Sequence, residues 1–514
     1  MKRAYEILPG ALAWATIILM FVLSWRLPIW VSIFIILFDI YWLLKTIYLS
    51  LHLRATFNEM KKNLATDWLA KLEEGNGVAD AASASPRWQD IIHLVILPMF
   101  DEPYEVVRES FERLVAVHYP HEKLFVVLGT EERAGDAARE TGEKIAREFS
   151  GKFGKFMVTR HPGNLPGEIP GKGSNESWAG TQAKAALLDP LTLSGKLRTK
   201  NVLVSVFDID TQVFPEYFGR LTYVFLHAPD RMRAIYQPIP LFVNNIYEAP
   251  ALARVVAFST TFWQMMQQSR PERLTSFSSQ SIPLSVLLDI GFWQKDIVSE
   301  DSRIFWQGYL RYHGNFRVEP LFYPLSMDAN VATTFWGTMK NLYKQQRRWG
   351  WGCENIPYML EGFDRDPSIP AGKKRYWRFN VIEGFHSWAT NSLMIFALGW
   401  LPLFLGGHSF NTTLLSYSLP HITRFVIDLS MIGIVSSAIL SVLLLPPRPA
   451  GLRRHWYDYA VYFLQWVLMP ITLIVFGAFP GLDSQTRLML GGRSRLGFWV
   501  TPKGRRGTTT AVRA

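Results

Sequence analysis

Apolar positions gather at the two ends of the chain and thin out in its middle. Leu8–Trp25 and Trp30–Leu51 form two apolar runs near the start, and three more lie late, at His386–Leu405, Ile422–Leu445 and Trp456–Phe479. A bilayer core takes about 20 helical residues to cross, so each run is long enough, or nearly so, to span one. Between them, from Arg54 to Arg378, polarity is mixed and the periodicity changes. Ile91–Phe100 is too short for a helix and is stopped by Pro98 and Pro103, which predicts a buried strand. Leu124–Leu128, Phe156–Thr159 and Val202–Phe207 read the same way, while Glu105–Val117, Ala134–Phe149, Glu176–Leu188 and Ile304–Leu310 have helical spacing. Strands alternating with helices predict an α/β domain with a mostly parallel sheet covered on both faces. Ligands of such sheets bind beyond the C-terminal strand ends, which points to Asp101, the Gly129–Glu132 turn and Asp208. Gly75–Pro86, small and flexible, reads as a linker ahead of that domain.

Charge changes this picture by giving it a direction. The 514-residue chain carries a formal net charge of +11. Its basic residues flank the apolar runs (Arg54, Lys61, Lys62, Arg448, Arg453, Arg454) or sit in the tail (Arg493, Arg495, Lys503, Arg505, Arg506). That is the positive-inside distribution, and it accounts for the charge without a nucleic-acid partner. The first run follows Lys2 and Arg3, and the second comes at once, with no small-residue cleavage site between. The pair therefore reads as a helical hairpin anchor rather than a cleaved leader. With the N-terminus inside, two crossings return the chain to the cytosol, and the basic loop Pro446–His455 is also expected inside. A full fifth crossing would then put the Arg-rich tail outside. Pro470 interrupts the last run, so a broken, re-entrant or interfacial segment and an inside tail are expected, with four to six spans in all. Asp39 and Asp428 fall within apolar runs and read as interhelical hydrogen bonds or interfacial carboxylates near Lys45 or Arg424, in preference to the lining of a product path. Cys353 is the only cysteine, which excludes an intrachain disulfide and a cysteine-based zinc site.

Three short motifs carry candidate chemistry. Asp208-Ile209-Asp210 closes an apolar strand, and two carboxylates there suit a hard divalent cation and its diphosphate, although a turn or helix cap is the commoner use of this pattern. Ser299-Glu300-Asp301 precedes a helix, where a carboxylate serves either as a general base or as a cap. Gln345-Gln346-Arg347-Arg348-Trp349 combines an amide, a guanidinium fork suited to phosphate and a flat ring suited to a sugar; its plainer reading is a basic-aromatic helix at a membrane surface. Gly171-Lys172-Gly173-Ser174 lacks the spacing of a Walker loop, which counts against a kinase or ATPase.

In this order, the motifs resemble those of the processive family 2 glycosyltransferases, such as cellulose and hyaluronan synthases, which have D-x-D, E-D and Q-x-x-R-W on a GT-A domain followed by membrane helices. Leu97–Pro103 (LPMFDEP) is similar to the family's P-x-x-N-E-P, and Phe498–Gly504 (FWVTPKG) to a cytosolic FxVTPKG segment of bacterial cellulose synthases. The resemblance implies a Rossmann-like GT-A domain over 90–378, between a transmembrane hairpin (1–53) with a linker (54–89) and C-terminal transmembrane helices (379–483) with a basic cytosolic tail (484–514). It implies that Asp208 and Asp210 bind the donor diphosphate, directly and through Mg²⁺ or Mn²⁺. Asp301, beside Glu300, would be the base of an inverting displacement forming a β-linkage. Gln345 and Arg348 would hold pyrophosphate and Trp349 the acceptor sugar, while Lys172 and Asn175 fall where the family has K-x-x-N near the nucleotide. Ser276–Ser281 (SFSSQS) occupies the place of an acceptor-side loop with a poor match. The turn Leu128–Glu132 departs from the family's uracil-contacting D-D-G-S; Glu131 is the candidate replacement, and base recognition is what the departure leaves open. The expected partners are a nucleotide-sugar donor (a UDP-sugar), a glycan or lipid-linked acceptor, the bilayer of the cell membrane and accessory export subunits. Alternatives are a non-processive transferase acting on a lipid or short glycan, and a catalytically dead scaffold or polymer conductor.

Overall fold

The computed structural model describes residues 2–75, 86–448, 455–497 and 499–500. Most of the linker, the tail beyond Val500 and all but Trp499 and Val500 of the FWVTPKG segment lie outside the described residues. Two helices open the chain, α1 (Lys2–Arg26) and α2 (Pro28–Leu64). The proline sits at the first position of α2, where its missing N–H costs nothing. α3 (Trp68–Gly75) follows.

The central region then alternates strand and helix as its periodicity predicts: β1 (Ile92–Pro98), α4 (Tyr104–Val115), β2 (Leu124–Glu131), α5 (Gly135–Phe149), β3 (Lys155–His161). After these come α6 (Lys172–Ala183), α7 (Asp189–Leu193), β4 (Val202–Val206), β5 (Gln212–Val213), α8 (Tyr217–His227), β6 (Ala234–Phe242) and α9 (Ala251–Gln268). The last part holds β7 (Gln280–Pro283), α10 (Leu284–Ile290), α11 (Glu300–Arg311), β8 (Arg317–Met327), α12 (Phe335–Gly350) and α13 (Asn355–Arg365). The sheet runs β3-β2-β1-β4-β7-β6-β8-β5. β3, β2, β1 and β4 are parallel; β7 is antiparallel to both β4 and β6; β6 and β8 are parallel. It is thus a mixed, mostly parallel sheet of Rossmann-like GT-A type. Alternate residues of β1 feed two cores: Leu94 and Ile96 join Val204, Trp293 and Phe305 on one face, and Val95 and Leu97 join Phe111, Phe207 and Phe218 on the other. Burial on both faces explains why these strands read as unbroken apolar runs. From β1 the chain steps outward through β2 to β3 and returns on the other side as β4, so a crevice opens between the C-terminal ends of β1 and β4.

Beyond the domain, α14 (Ala371–Phe396) bends by 49° into a segment ending in α15 (Leu401–Leu405); α16 (Gly407–Asn411) and α17 (Leu414–Leu443) follow, then a helical stretch over Asp458–Leu490. Among the described residues four helices are long and apolar enough to cross a membrane, or five if the bent pair counts as one span. α1 starts beside the domain, where Tyr5 donates to Asp364, and α2 returns to it, where Asn63 Nδ2 donates to the Phe322 carbonyl at 3.0 Å. α14 leaves the domain, with Lys374 Nζ 2.5 Å from the Phe363 carbonyl. α17 comes back to it, since Tyr247 of the domain donates to the Pro446 carbonyl at 2.6 Å. Both ends of Asp458–Leu490 touch the domain: Arg254 Nε donates to Gln465 at 2.7 Å, and Ser484 Oγ to the Arg347 carbonyl at 2.7 Å. Asp39 packs against Thr423 of α17, Asp428 lies 3.8 Å from Arg424, and Lys45 pairs with Glu383 at 3.1 Å rather than with Asp39.

Candidate active site

The crevice centres on Lys172, the first residue of α6. Its Nζ lies 2.7 Å from Asp208 Oδ1, 2.9 Å from Asp301 Oδ1 and 3.3 Å from Glu176 Oε1. Lys172 and Glu176 share a helix face because they stand one turn apart. Asp208 arrives from the end of β4 and Asp301 from the first turn of α11. α6 and α11 approach closely because position 173 is glycine: a Cβ there would sit 2.9 Å from that of Glu300. Burial works against the lysine's charge, but Asp208, Asp301, Glu176 and Glu300 outweigh it and hold the ammonium well above the ordinary lysine range. Burial pushes Glu176 far up, and burial followed by the Asp301 charge pushes Glu300 up to about 8. Carboxylate oxygens of Glu176, Glu300 and Asp301 lie within 4.8 Å of one another, and both oxygens of the buried Glu300 lack a hydrogen-bond donor.

The plainer uses of the motifs do not apply here. Ser299 holds the N-cap position of α11, yet its hydroxyl donates to Glu354 at 2.7 Å and caps nothing, and Glu354 also accepts the Ser299 N–H at 3.0 Å. The Asp208 carboxylate faces Lys172 and the Ser278 hydroxyl (2.5 Å) rather than its own turn. Asp210 points elsewhere. It is buried and accepts the Asp328 N–H at 3.1 Å, in a network with Asn244, which donates to Asp328 at 3.2 Å.

The Ser276–Ser281 run, weak as a sequence signal, joins the two halves of the crevice. Ser278 bonds the Asp208 carboxylate, while Ser276 Oγ and Gln280 Nε2 donate to the Asp301 carbonyl at 2.6 and 3.2 Å. Phe277 meets Trp349 edge-on with ring centroids 5.7 Å apart, and Phe242 packs on the same indole at 5.9 Å. Gln345 is buried, with Asn330 donating to it at 3.5 Å, and Arg348 lies close enough to Glu300 to oppose the rise of its pKa. Arg347 faces the other way, 3.1 Å from Asp483. α12 therefore presents Gln345, Arg348 and Trp349 to the domain and one arginine to the helical region. Glu176, Ser276 and Ser278 are members of the site that sequence reasoning did not assign. Glu176 had a signal in its i+4 spacing from Lys172, whereas the serines had none in their own spacing.

The other end of the crevice is closed by local pairs. Glu131, buried at the end of β2, pairs with Arg133, whose guanidinium lies 4.3 Å from the centre of the Phe100 ring. Asn175 donates to the Gly129 carbonyl at 2.8 Å, and a Cβ on Gly129 would sit 2.7 Å from the Asn175 oxygen, so glycine is needed there. Burial raises the Asp101 carboxyl.

Residues 203–477 match the family described as glycosyl transferase family group 2. The chain belongs to that family and is a glycosyltransferase. No curated protein sequence matches it. Among solved structures it is similar to a mannosyltransferase from Pyrobaculum calidifontis in complex with GDP-Man and Mn²⁺, at 12% identity over 77% of this chain and 98% of that one, with a TM-score of 0.42. It is also similar to residues 1–349 of S. aureus TarS in complex with UDP-GlcNAc, at 14% identity over 70% and 93%, with a TM-score of 0.31.

Proposed function

We propose that the chain is a membrane-embedded inverting transferase that moves a sugar from a UDP-sugar to a growing glycan, forming a β-linkage. The observation that carries this reading is the convergence of Asp208 and Asp301, 93 positions apart, on one part-buried lysine at the switch point of the sheet. Asp208 and Lys172 hold the donor diphosphate, with Gln345 and Arg348 on its far side. Asp301 takes the proton of the acceptor hydroxyl as that oxygen attacks the anomeric carbon and the nucleoside diphosphate leaves. Glu300 orients Asp301, Trp349 presents a face for the acceptor ring, and Glu131 with Asn175 lines the base end.

The donor set fits a divalent cation: hard carboxylate oxygens outnumber their one lysine, and those of Glu300 have no donor. The motif assigns Mg²⁺ or Mn²⁺ to Asp208 and Asp210, but Asp210 is engaged by the Asp328 N–H, so Asp208 with the neighbouring Glu176, Glu300 and Asp301 oxygens would hold the cation. When bound, the cation would neutralise the charge developing on the leaving diphosphate.

For the membrane we infer four crossings: α1 out, α2 back, α14 with its bent continuation out, and α17 back. Asp458–Leu490 is long and apolar enough to span, yet both of its ends are bonded to the domain, so it makes no net crossing. Arg3 Nη1 bonds the Leu488 carbonyl at 3.1 Å, which keeps the N-terminus and the tail on the catalytic side. By charge that side is the cytosol of a cell-membrane protein, with 90–378 the catalytic unit and 484–514 the tail.

Purified protein in nanodiscs with Mg²⁺ or Mn²⁺, offered UDP-, GDP- and dTDP-sugars beside Asp301→Asn, tests the reaction. Metal-dependent release of one nucleotide, lost in the variant, is the expected result, and product length then reads processivity. Folded protein that neither binds nor turns over any of these donors sinks the assignment.

A further inference from the structure

Lys172 does more at this site than line it. Its ammonium forms ion pairs at 2.7, 2.9 and 3.3 Å with carboxylates from three separate segments, Asp208 just past β4, Asp301 on α11 and Glu176 on α6, and donates a hydrogen bond to Asp301. A fourth, Glu300, has both oxygens buried and without a donor, and adds its field to the same lysine. The ammonium therefore sits at the centre of the acidic cluster, where a divalent cation would draw on the same oxygens. A cation must gather its oxygens to about 2.0–2.2 Å, which Nζ, with contacts of 2.7 and 2.9 Å to Asp208 and Asp301, prevents. A lysine is also able to leave. Its charge rides on a flexible four-carbon stem, and a diphosphate offers an equally strong partner.

We propose that Lys172 is an internal counter-cation that keeps the acidic cluster closed to free divalent metal until a nucleoside diphosphate draws it away. This rests on the donor and metal reading of the same site. Metal and nucleotide then bind with positive coupling, and by linkage each raises the other's affinity by one factor. In the absence of donor, the enzyme is spared a metal bound in an unproductive site.

The test is Mn²⁺ binding to the full chain in nanodiscs, followed by the electron paramagnetic resonance of free Mn²⁺, with and without UDP. Wild-type protein is expected to bind Mn²⁺ weakly alone and at least about tenfold more tightly with UDP. Lys172→Met should bind Mn²⁺ alone about tenfold more tightly than wild type, since one positive charge in ion-pair contact with the carboxylates has been removed. Its response to UDP should shrink. Lys172→Arg, which keeps the charge, should stay near wild type. If uncompensated carboxylates keep Lys172→Met from folding, Lys172→Gln removes the charge but keeps an N–H donor toward them and is expected to show the same gain. Equal Mn²⁺ affinity of wild type and the folded Lys172→Met, with UDP still tightening both, overturns this inference and leaves the parent reading standing. No Mn²⁺ or UDP binding by any folded variant overturns both.

Discussion

The two halves of the sheet meet in one crevice but are built differently. The parallel half, β3-β2-β1-β4, has three inner strands buried on both faces, β2, β1 and β4, beside the partly exposed edge strand β3, and contributes Glu131, Asn175, Lys172 and Asp208. The mixed half, β7-β6-β8-β5, carries the antiparallel strand β7 and the serine run ahead of it. It shares its side of the crevice with α11 and α12, which bring Asp301, Gln345, Arg348 and Trp349. In the first half the site residues stand at strand ends and at the start of α6, where the topology of the sheet places them. In the second, positions depend on contacts across loops and helices, such as Ser276 with Asp301 and Ser299 with Glu354. The first set follows from the order of the strands, and the second from packing between distant parts of the chain.

Perturbing one half at a time separates the two. The largest effect is expected from Asp301→Asn: nucleotide release falls about 10²–10⁴-fold, the usual share of a general base, while donor binding measured by calorimetry persists. Loss of donor binding as well would show that the halves do not act separately. Arg348→Ala removes charge-assisted hydrogen bonds worth about 1.5–3 kcal/mol, so UDP-sugar affinity should fall about 10- to 100-fold with the fold intact by circular dichroism.

Within the parallel half, His93 of β1 is fully buried, its Nε2 2.9 Å from the Thr222 hydroxyl, and burial holds its pKa down at about 3. The unfolded chain takes up a proton below about pH 6.5 and the folded one does not, so stability is full above that pH and declines as pH falls toward 3. Between pH 7 and 5 the loss is about 2 kcal/mol, read from denaturant midpoints, and His93→Phe should remove this pH dependence. The smallest effect is expected at the base end. Glu131→Gln should weaken UDP binding by about tenfold, one charge-assisted hydrogen bond. Discrimination against cytidine diphosphate, which lacks the imide N–H, should weaken with it.

The same contrast explains what could be read from the sequence. β1, β2 and β4 announced themselves because burial on both faces makes a strand an unbroken apolar run, and the ends of β2 and β4 located the Glu131 turn and Asp208. β6 and β8 are interrupted by Pro238, Pro240, Pro320 and Pro324, which hides them from any pattern of period two. β7 is only four residues long. Asp301 and the Gln345–Trp349 motif were tied to Asp208 by resemblance alone, because the contacts that join them, through Lys172 and the serine run, leave no periodic signal. Lys172 was legible as a nucleotide contact. Its place between Asp208 and Asp301 was not, since that depends on Gly173 letting α6 close on α11.

α2 is 37 residues long. At 1.5 Å per residue it measures about 55 Å against a hydrocarbon layer of about 30 Å, so on the proposed crossing about 25 Å of continuous helix would stand clear of the lipid. That overhang is tied to the domain by Leu53, Met60 and Asn63. If α2 crosses as proposed, it would work as a strut, one unbroken rod setting the height and the heading of the domain. A single residue inserted in the overhang would turn everything beyond it by about 100°, taking Leu53, Met60 and Asn63 off the surfaces they pack against.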